Sequence, residues 1–264
     1  MTDHRSTSAA PTSPASVPLL QATALTRRFG GLTAVSNVSV DLHVGEVHAV
    51  IGTNGAGKST LINMLSGEIA VSDGAIRLDG RDITRLSQPM RARSGIGRSY
   101  QRTTIFPHFS VLENCRLSAQ AARQRPWALW QSALHCEESI DIAQQALQAA
   151  GLMDTGSMPA GSMSHGKKRQ LEIAMCLATR PQVLLLDEPL AGMGAEETER
   201  MLSLLESLKQ THAVLLVEHD MDAVFRIADR ITVMVNGQTI ASDVPQAIRS
   251  NAEVQSAYLG DAHA

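Results

Sequence analysis

Residues 52–60 read Gly52-Thr53-Asn54-Gly55-Ala56-Gly57-Lys58-Ser59-Thr60, a full match to the pattern G-x-x-x-x-G-K-[ST]. The apolar run Val47-His48-Ala49-Val50-Ile51 precedes it, and Leu61-Ile62-Asn63-Met64-Leu65 follows. A buried strand, a glycine loop and the start of a helix form the context in which this pattern cradles a polyphosphate. Glycines let the backbone curl until successive N–H groups face one concavity. The helix behind adds unpaired N–H groups and the positive end of its dipole. On this reading Lys58 reaches the β- and γ-phosphates and the Ser59 hydroxyl binds Mg²⁺. The alternative, a glycine-rich turn that happens to hold a Lys-Ser pair, is disfavoured by the strand and helix on either side. The pattern predicts a nucleoside triphosphate site.

A chain of 264 residues has room for one large core, or one core with a small appended subdomain. Hydrophobic residues at 44% and charged ones at 19% describe an ordinary globular protein. A net charge of −3 gives no electrostatic reason to expect nucleic acid as a partner. Cys115, Cys136 and Cys176 form no C-x-x-C pair and read as buried apolar residues in a reducing compartment. Residues 1–18 are rich in Ser, Thr, Ala and Pro without an apolar run, the composition of a disordered tail rather than a signal peptide or anchor. No later stretch approaches the ~18 apolar residues of a spanning helix, so a membrane role would be peripheral.

Leu20–Thr26 and Val35–Leu42 read as strands around a loop at Gly30-Gly31, and Gly74–Leu78 as a short strand closed by an Asp79-Gly80 turn. From about Ser110 to Met153 the pattern turns helical. Ser110-Val111-Leu112-Glu113 is a capping-box signature, and Ile140, Ala143 and Leu147 fall on one face of a second helix. After Ser164 a helix carries Leu171, Ala174, Met175 and Ala178 and stops before Pro181. Val183–Asp187 and Ala213–Val217 are continuous apolar runs, as expected of strands buried on both faces of a parallel sheet. Between them Met201, Leu204, Leu205 and Leu208 line one side of a helix. Strands alternating with helices imply an α/β core. No internal repeat is visible, and there is one phosphate loop.

Asp187-Glu188 closes an apolar strand. An Asp at a strand's carboxyl end lies beside the phosphate site in such sheets, where it can hold the Mg²⁺ bound by Ser59. Glu188 can polarise a water lined up on the γ-phosphate. The plainer reading is two acids solvating a turn; the upstream phosphate loop and Pro189 favour the catalytic one.

Five segments in order carry a resemblance. GTNGAGKST, Gln101 in Gly97-Arg98-Ser99-Tyr100-Gln101, Ser164-His165-Gly166-Lys167-Lys168-Arg169-Gln170, Leu186-Asp187-Glu188-Pro189 and Glu218-His219-Asp220 make the chain resemble an ATP-binding-cassette (ABC) ATPase. Phe29-Gly30-Gly31-Leu32, Arg169–Ala174, Val217–Met221 and Ala257-Tyr258-Leu259-Gly260 look like the ATP-binding subunits of branched-chain amino acid importers. The resemblance implies a P-loop NTPase (RecA-like) core with an antiparallel β subdomain. Residues 19–264 would form this domain, with a helical subdomain inserted at about 102–163.

The resemblance also implies roles. Phe29 would stack on adenine through its ring face; the alternative is a strand-end aromatic in the core. Gln101 would touch Mg²⁺ and the attacking water. His219 would hydrogen-bond the γ-phosphate and orient water with Glu188. Ser164 and Gly166 would bind the γ-phosphate held by a second subunit's phosphate loop, at a helix N-terminus. One chain would then not complete its own site, and a two-fold dimer of ATPase subunits, homomeric or heteromeric, would sandwich two ATP molecules. Two transmembrane permease subunits, and indirectly a periplasmic solute-binding protein, would complete a transporter at the cytoplasmic face of the inner membrane.

Three positions depart from the family pattern. The signature reads Met163-Ser164-His165-Gly166-Lys167 where Leu-Ser-Gly-Gly-Gln is common, so His165 must avoid or tolerate a left-handed backbone. Gly194 stands where Asp or Asn is usual, and Phe29 where Tyr is commoner. Trp127 and Trp130 fit either docking of a membrane subunit or packing of the helical subdomain. Lys167-Lys168-Arg169 fits the solvated face of the signature helix better than a nucleic-acid patch. Other readings are the ATPase of a lipid or lipopolysaccharide exporter, a soluble ABC protein and a P-loop kinase. A single cassette without a coiled-coil insert argues against the soluble protein, and Glu188 with His219 argues for water rather than a kinase's acceptor.

Overall fold

The computed structural model describes residues 17–100, 104–123 and 137–260. The expectations for Gln101, Trp127, Trp130, Cys136 and residues 1–16 of the tail lie outside the described residues.

Two sheets carry the fold. β1 (Leu20–Phe29) and β2 (Leu32–Leu42) form a hairpin, longer than expected, turned at Gly30-Gly31. With β4 (Asp73–Leu78) and β5 (Arg81–Asp82) they give an antiparallel sheet of order β2-β1-β4-β5. In β2 the buried Val38, Val40 and Leu42 alternate with exposed residues, the period of a sheet with one covered face. That face packs on Leu61, Ile62 and Leu65 of α1 (Lys58–Ser66) and on Val50, Leu185 and Leu215 of the second sheet.

The second sheet has the order β10-β9-β3-β8-β7-β6, from β10 (Gln238–Asp243), β9 (Arg230–Val235), β3 (Val47–Gly52), β8 (Ala213–Val217), β7 (Val183–Asp187) and β6 (Ile96–Arg98). Its pairings are parallel except for the β9–β10 hairpin at the edge. Every residue of β3, β7 and β8 is buried, as their unbroken apolar runs require. The other face packs α6 (Ala195–Lys209) through Met201, Leu204, Leu205 and Leu208, the stripe expected. β5, β6, β9 and β10 have no counterpart among the strands the sequence predicts. β6 is three residues long, and β9 and β10 meet at Asn236-Gly237, a tight turn.

α2 (Gln88–Arg93) precedes β6, and between β6 and β7 the chain forms α3 (Val111–Arg123), α4 (Glu137–Ala149) and α5 (His165–Leu177), which pack on one another. Two expectations need correction. α4 buries Ser139, Ile142, Ala143, Ala146 and Leu147, so its covered face is wider than expected and leaves Ile140 half-buried at its edge. The capping box forms by half: Ser110 Oγ accepts the Glu113 N–H at 3.1 Å, but the Glu113 carboxylate turns to Arg116 at 2.8 Å. A guanidinium one turn on is a stronger partner for that carboxylate than a neutral amide. Cys115 and Cys176 are buried free thiols, pushed up by burial to about 12. No described helix is long and apolar enough to cross a membrane.

Candidate functional site

The parallel strands β3, β8 and β7 lie side by side, and their carboxyl ends deliver the loops that matter: the glycine loop after β3, Asp187-Glu188 after β7 and His219 after β8. Register fixes the last two as neighbours, since Asp187 pairs with Val217. The crevice at such strand ends is where α/β sheets bind ligands.

Two glycines of the loop have steric reasons. A Cβ on Gly52 would lie 2.1 Å from the Met234 carbonyl oxygen of β9, and one on Gly57, at φ 95°, would lie 2.6 Å from that of Ala34 in β2. The loop is thus pressed between both sheets, and Gly57 caps α1 without any side chain. No side chain therefore caps the first-turn amides of α1, an arrangement that suits an anion at a helix N-terminus. Lys58, 6% exposed, curls back over the loop; its Nζ donates to Gly52 O at 2.7 Å and Thr53 O at 3.0 Å. Burial lowers its pKa, against Glu188 and Asp187, which raise it. Ser59, Asn54 and Gly55 are exposed, Thr53 and Thr60 half-exposed, and Ala56 buried.

Asp187 is 6% exposed. Its carboxyl is raised by burial, then lowered by Arg98, whose Nη2 lies 3.6 Å away. Arg98 also donates to Ser66 Oγ at 2.7 Å, Glu68 Oε2 at 2.7 Å and Asn63 Oδ1 of α1, so one guanidinium joins β6, β7 and the phosphate-loop helix. Glu188 takes a left-handed φ of 50°, unusual for a side-chain-bearing residue and common where function holds strain. Its Oε1 lies 2.7 Å from His219 Nε2. An ionised carboxylate only accepts, so the imidazole proton sits on Nε2. Behind them Glu218, 3% exposed, accepts the N–H of Leu190 at 2.7 Å and of His219 at 3.0 Å, tying together the two segments that bear Glu188 and His219. Burial raises its pKa, and those N–H donors lower it. Arg98 and Glu218 lie inside sequence motifs, but no local signal marks either as a functional residue.

Phe29 stands 45% exposed at the hairpin end, with the Arg27 guanidinium 4.5 Å over its ring centroid. It is not a core aromatic. Ser164 is the N-cap of α5, its Oγ accepting the Lys167 N–H at 3.4 Å. His165 avoids the left-handed region and opens the helix, its Nε2 3.0 Å from Ala191 O. The partners of this segment lie in residues 191–197 rather than in the phosphate loop. Gly194 is the exposed N-cap of α6. Gln101 is outside the described residues, but α5 holds the chain on both sides of 101–103. Arg169 donates to Tyr100 O at 3.0 Å, Glu172 accepts the Thr104 N–H at 3.0 Å, and the two pair at 2.9 Å.

Residues 35–191 match the family described as ABC transporter, and residues 238–264 that described as branched-chain amino acid ATP-binding cassette transporter. The chain belongs to the ABC transporter family. The ABC match extends nearly end to end in curated relatives. The high-affinity branched-chain amino acid transport ATP-binding protein LivG of Salmonella typhimurium is 38% identical over 94% of this chain and 100% of its own. BraF of Pseudomonas aeruginosa, described in the same words, is 37% identical over 93% and 99%. The ADP conformation of an ATP-binding cassette of an ABC transporter superposes with a TM-score of 0.81 at 26% identity, covering 93% of this chain and 100% of that one. This ABC ATPase brings its glycine loop, Asp187-Glu188 and His219 to the carboxyl ends of neighbouring parallel strands.

Proposed function

We propose that this chain is the ATP-hydrolysing subunit of an importer for branched-chain or related hydrophobic amino acids, working from the cytoplasmic face of the membrane with two permease subunits. The observation that supports this solute class is the similarity to LivG along that relative's whole length. A periplasmic solute-binding protein would deliver the amino acid, which this subunit never touches.

The geometry supports these roles. The amides around Gly55–Lys58, the Lys58 ammonium and the first turn of α1 hold the triphosphate, and Lys58 exchanges two carbonyl contacts for phosphate oxygens. The exposed Phe29 ring offers its remaining face to adenine. The donors present fit Mg²⁺: the Ser59 hydroxyl, the Asp187 carboxylate and the Gln101 side chain are hard oxygen ligands, and Mg²⁺ takes few protein ligands beside substrate phosphates. Bound there, the ion would offset charge on the β- and γ-phosphate oxygens. Glu188, whose Oε1 rests on His219, is the carboxylate that accepts a proton from water. The His219 Nε2–H then turns from Glu188 Oε1 to donate to the γ-phosphate when nucleotide enters. Ser164 and Gly166 serve the ATP of a second ATP-binding subunit, so closure of two copies completes two sites.

Glu188→Gln should bind ATP, lose turnover and accumulate a nucleotide-bridged dimer; a monomer with normal hydrolysis would refute the assignment. Cells lacking the chain should lose uptake of labelled leucine, isoleucine and valine and regain it with the wild-type chain but not with Glu188→Gln. Unchanged uptake would refute the solute class.

A further inference from the structure

The N-terminus of α5 already carries an anion supplied by this chain. Glu197, in the first turn of α6, places Oε1 3.1 Å from Ser164 Oγ. Its carboxylate also covers Gly166: a Cβ built there would lie 2.5–2.8 Å from the three carboxylate atoms. No cation among the described residues pairs with Glu197; what stabilises the charge is the Ser164 hydroxyl and the positive end of the α5 dipole.

A serine hydroxyl has one hydrogen to donate. Ser164 gives it to Glu197, while its oxygen accepts the Lys167 N–H. A γ-phosphate from a second subunit needs the same hydrogen and the same bare face of Gly166. We infer that Glu197 is a stand-in for that γ-phosphate, occupying its seat in the open chain and leaving it when two subunits close on ATP. The inference rests on the reading of Ser164 and Gly166 given above. Two carboxylates leave two seats at each closure, so Glu197 opposes dimerisation until nucleotide supplies a stronger anion. A phosphate is that anion: it carries more charge and more acceptor oxygens than a carboxylate. Glu197 thus sharpens the dependence of closure on the γ-phosphate.

The test uses the full chain in the Glu188→Gln background, where turnover does not blur the equilibrium. The ATP concentration at half-maximal dimer, read by analytical ultracentrifugation, should fall about tenfold on adding Glu197→Gln, since a neutral amide at a helix N-terminus competes weakly. Adding Glu197→Asp instead should keep most of the original midpoint. Affinity of the monomer for ADP should not move. A midpoint that is unchanged, or raised as loss of a merely structural contact would make it, overturns the inference. If Glu188→Gln alone forms no dimer at saturating ATP, the composite-site reading fails and takes this inference with it. If it dimerises and Glu197 changes nothing, only the inference fails.

Discussion

The strand that delivers the phosphate loop should make this protein acid-sensitive through one histidine. His48 sits in β3, 2% exposed, with Nδ1 3.0 Å from Asp41 O in β2 and Nε2 2.8 Å from Thr232 Oγ1 in β9. A carbonyl accepts only, so Nδ1 carries the proton and Nε2 accepts from Thr232, whose oxygen in turn accepts from Ser242 Oγ at 2.8 Å. A second proton on Nε2 would face the Thr232 hydrogen in a dry site. Burial accordingly pushes the His48 pKa down to about 4, with Arg230 and His43 lowering it further and the Asp41 carbonyl opposing. The unfolded chain, near the ordinary 6.5, binds the proton first. Stability is therefore full above about pH 6.5 and is lost as pH falls toward about 4. Linkage between those two values gives a loss of about 2 kcal/mol between about pH 7.5 and pH 5. With a urea m-value of ~3 kcal/mol/M, the midpoint should fall by roughly 0.7 M. Urea unfolding of the wild type and of His48→Gln across this range isolates the histidine from carboxylates common to both. A difference between the two that stays flat with pH would refute the assignment of a neutral, buried His48.

Three further substitutions probe the site and its support. Lys58→Ala should weaken ATP binding by tenfold or more, about 1.4 kcal/mol, because a charged phosphate partner is gone; fluorescent nucleotide titration reads this directly. Arg91, 1% exposed, donates to Leu86 O, Met64 O, Leu65 O and Thr84 O. Arg91→Ala should cost about 3 kcal/mol by leaving buried carbonyls without donors at the end of α1, visible in thermal melts. Glu218→Ala should lower kcat about tenfold or more with ADP affinity unchanged, since it frees Leu190 and His219 while leaving the phosphate loop intact; stopped-flow hydrolysis with parallel ADP titration separates the two.

Local signals were strong enough to place most of the chemistry. Gly52–Thr60 must form a loop there because Gly52 and Gly57 meet backbone carbonyls at distances no side chain tolerates. Val183–Asp187 and Ala213–Val217 could be read as buried strands because no exposed face interrupts them. Where periodicity was thin, the reading slipped. On α4 the small residues Ser139 and Ala146 belong to the covered face, and a hydrophobicity count passes over them in favour of Ile140. β10 lies at the sheet's edge, where exposed and half-buried positions blur the pattern, and in β9 the buried Ile231–Met234 run is broken by the polar Thr232.

What sequence left unread has a common physical cause. Motifs point to side chains that face the nucleotide, whereas the groups holding them are recognised only by what the fold brings near. Glu218 finds Leu190 across 28 residues, Ser164 finds Glu197 across 33, and Arg98 finds Asn63 across 35. None of these separations is a helical or strand spacing, so no periodicity announces them. Each joins two functional segments: strand end to strand end, signature helix to the helix after the strand-end acids, and phosphate-loop helix to Asp187. A change at any one nucleotide contact therefore has a stiff route to the others. With the roles proposed above, Asp187-Glu188, residues 190–194 and Glu197 would make the acids beside one subunit's γ-phosphate continuous with the seat for its partner's. The two ATP sites of a closed pair would then be joined through about ten residues of backbone, which is short enough for hydrolysis at one to be felt at the other. A dimer mixing wild-type with Glu188→Gln subunits should accordingly turn over at well below half the wild-type rate. A rate of one half would mean that the two sites fire independently and would refute that coupling.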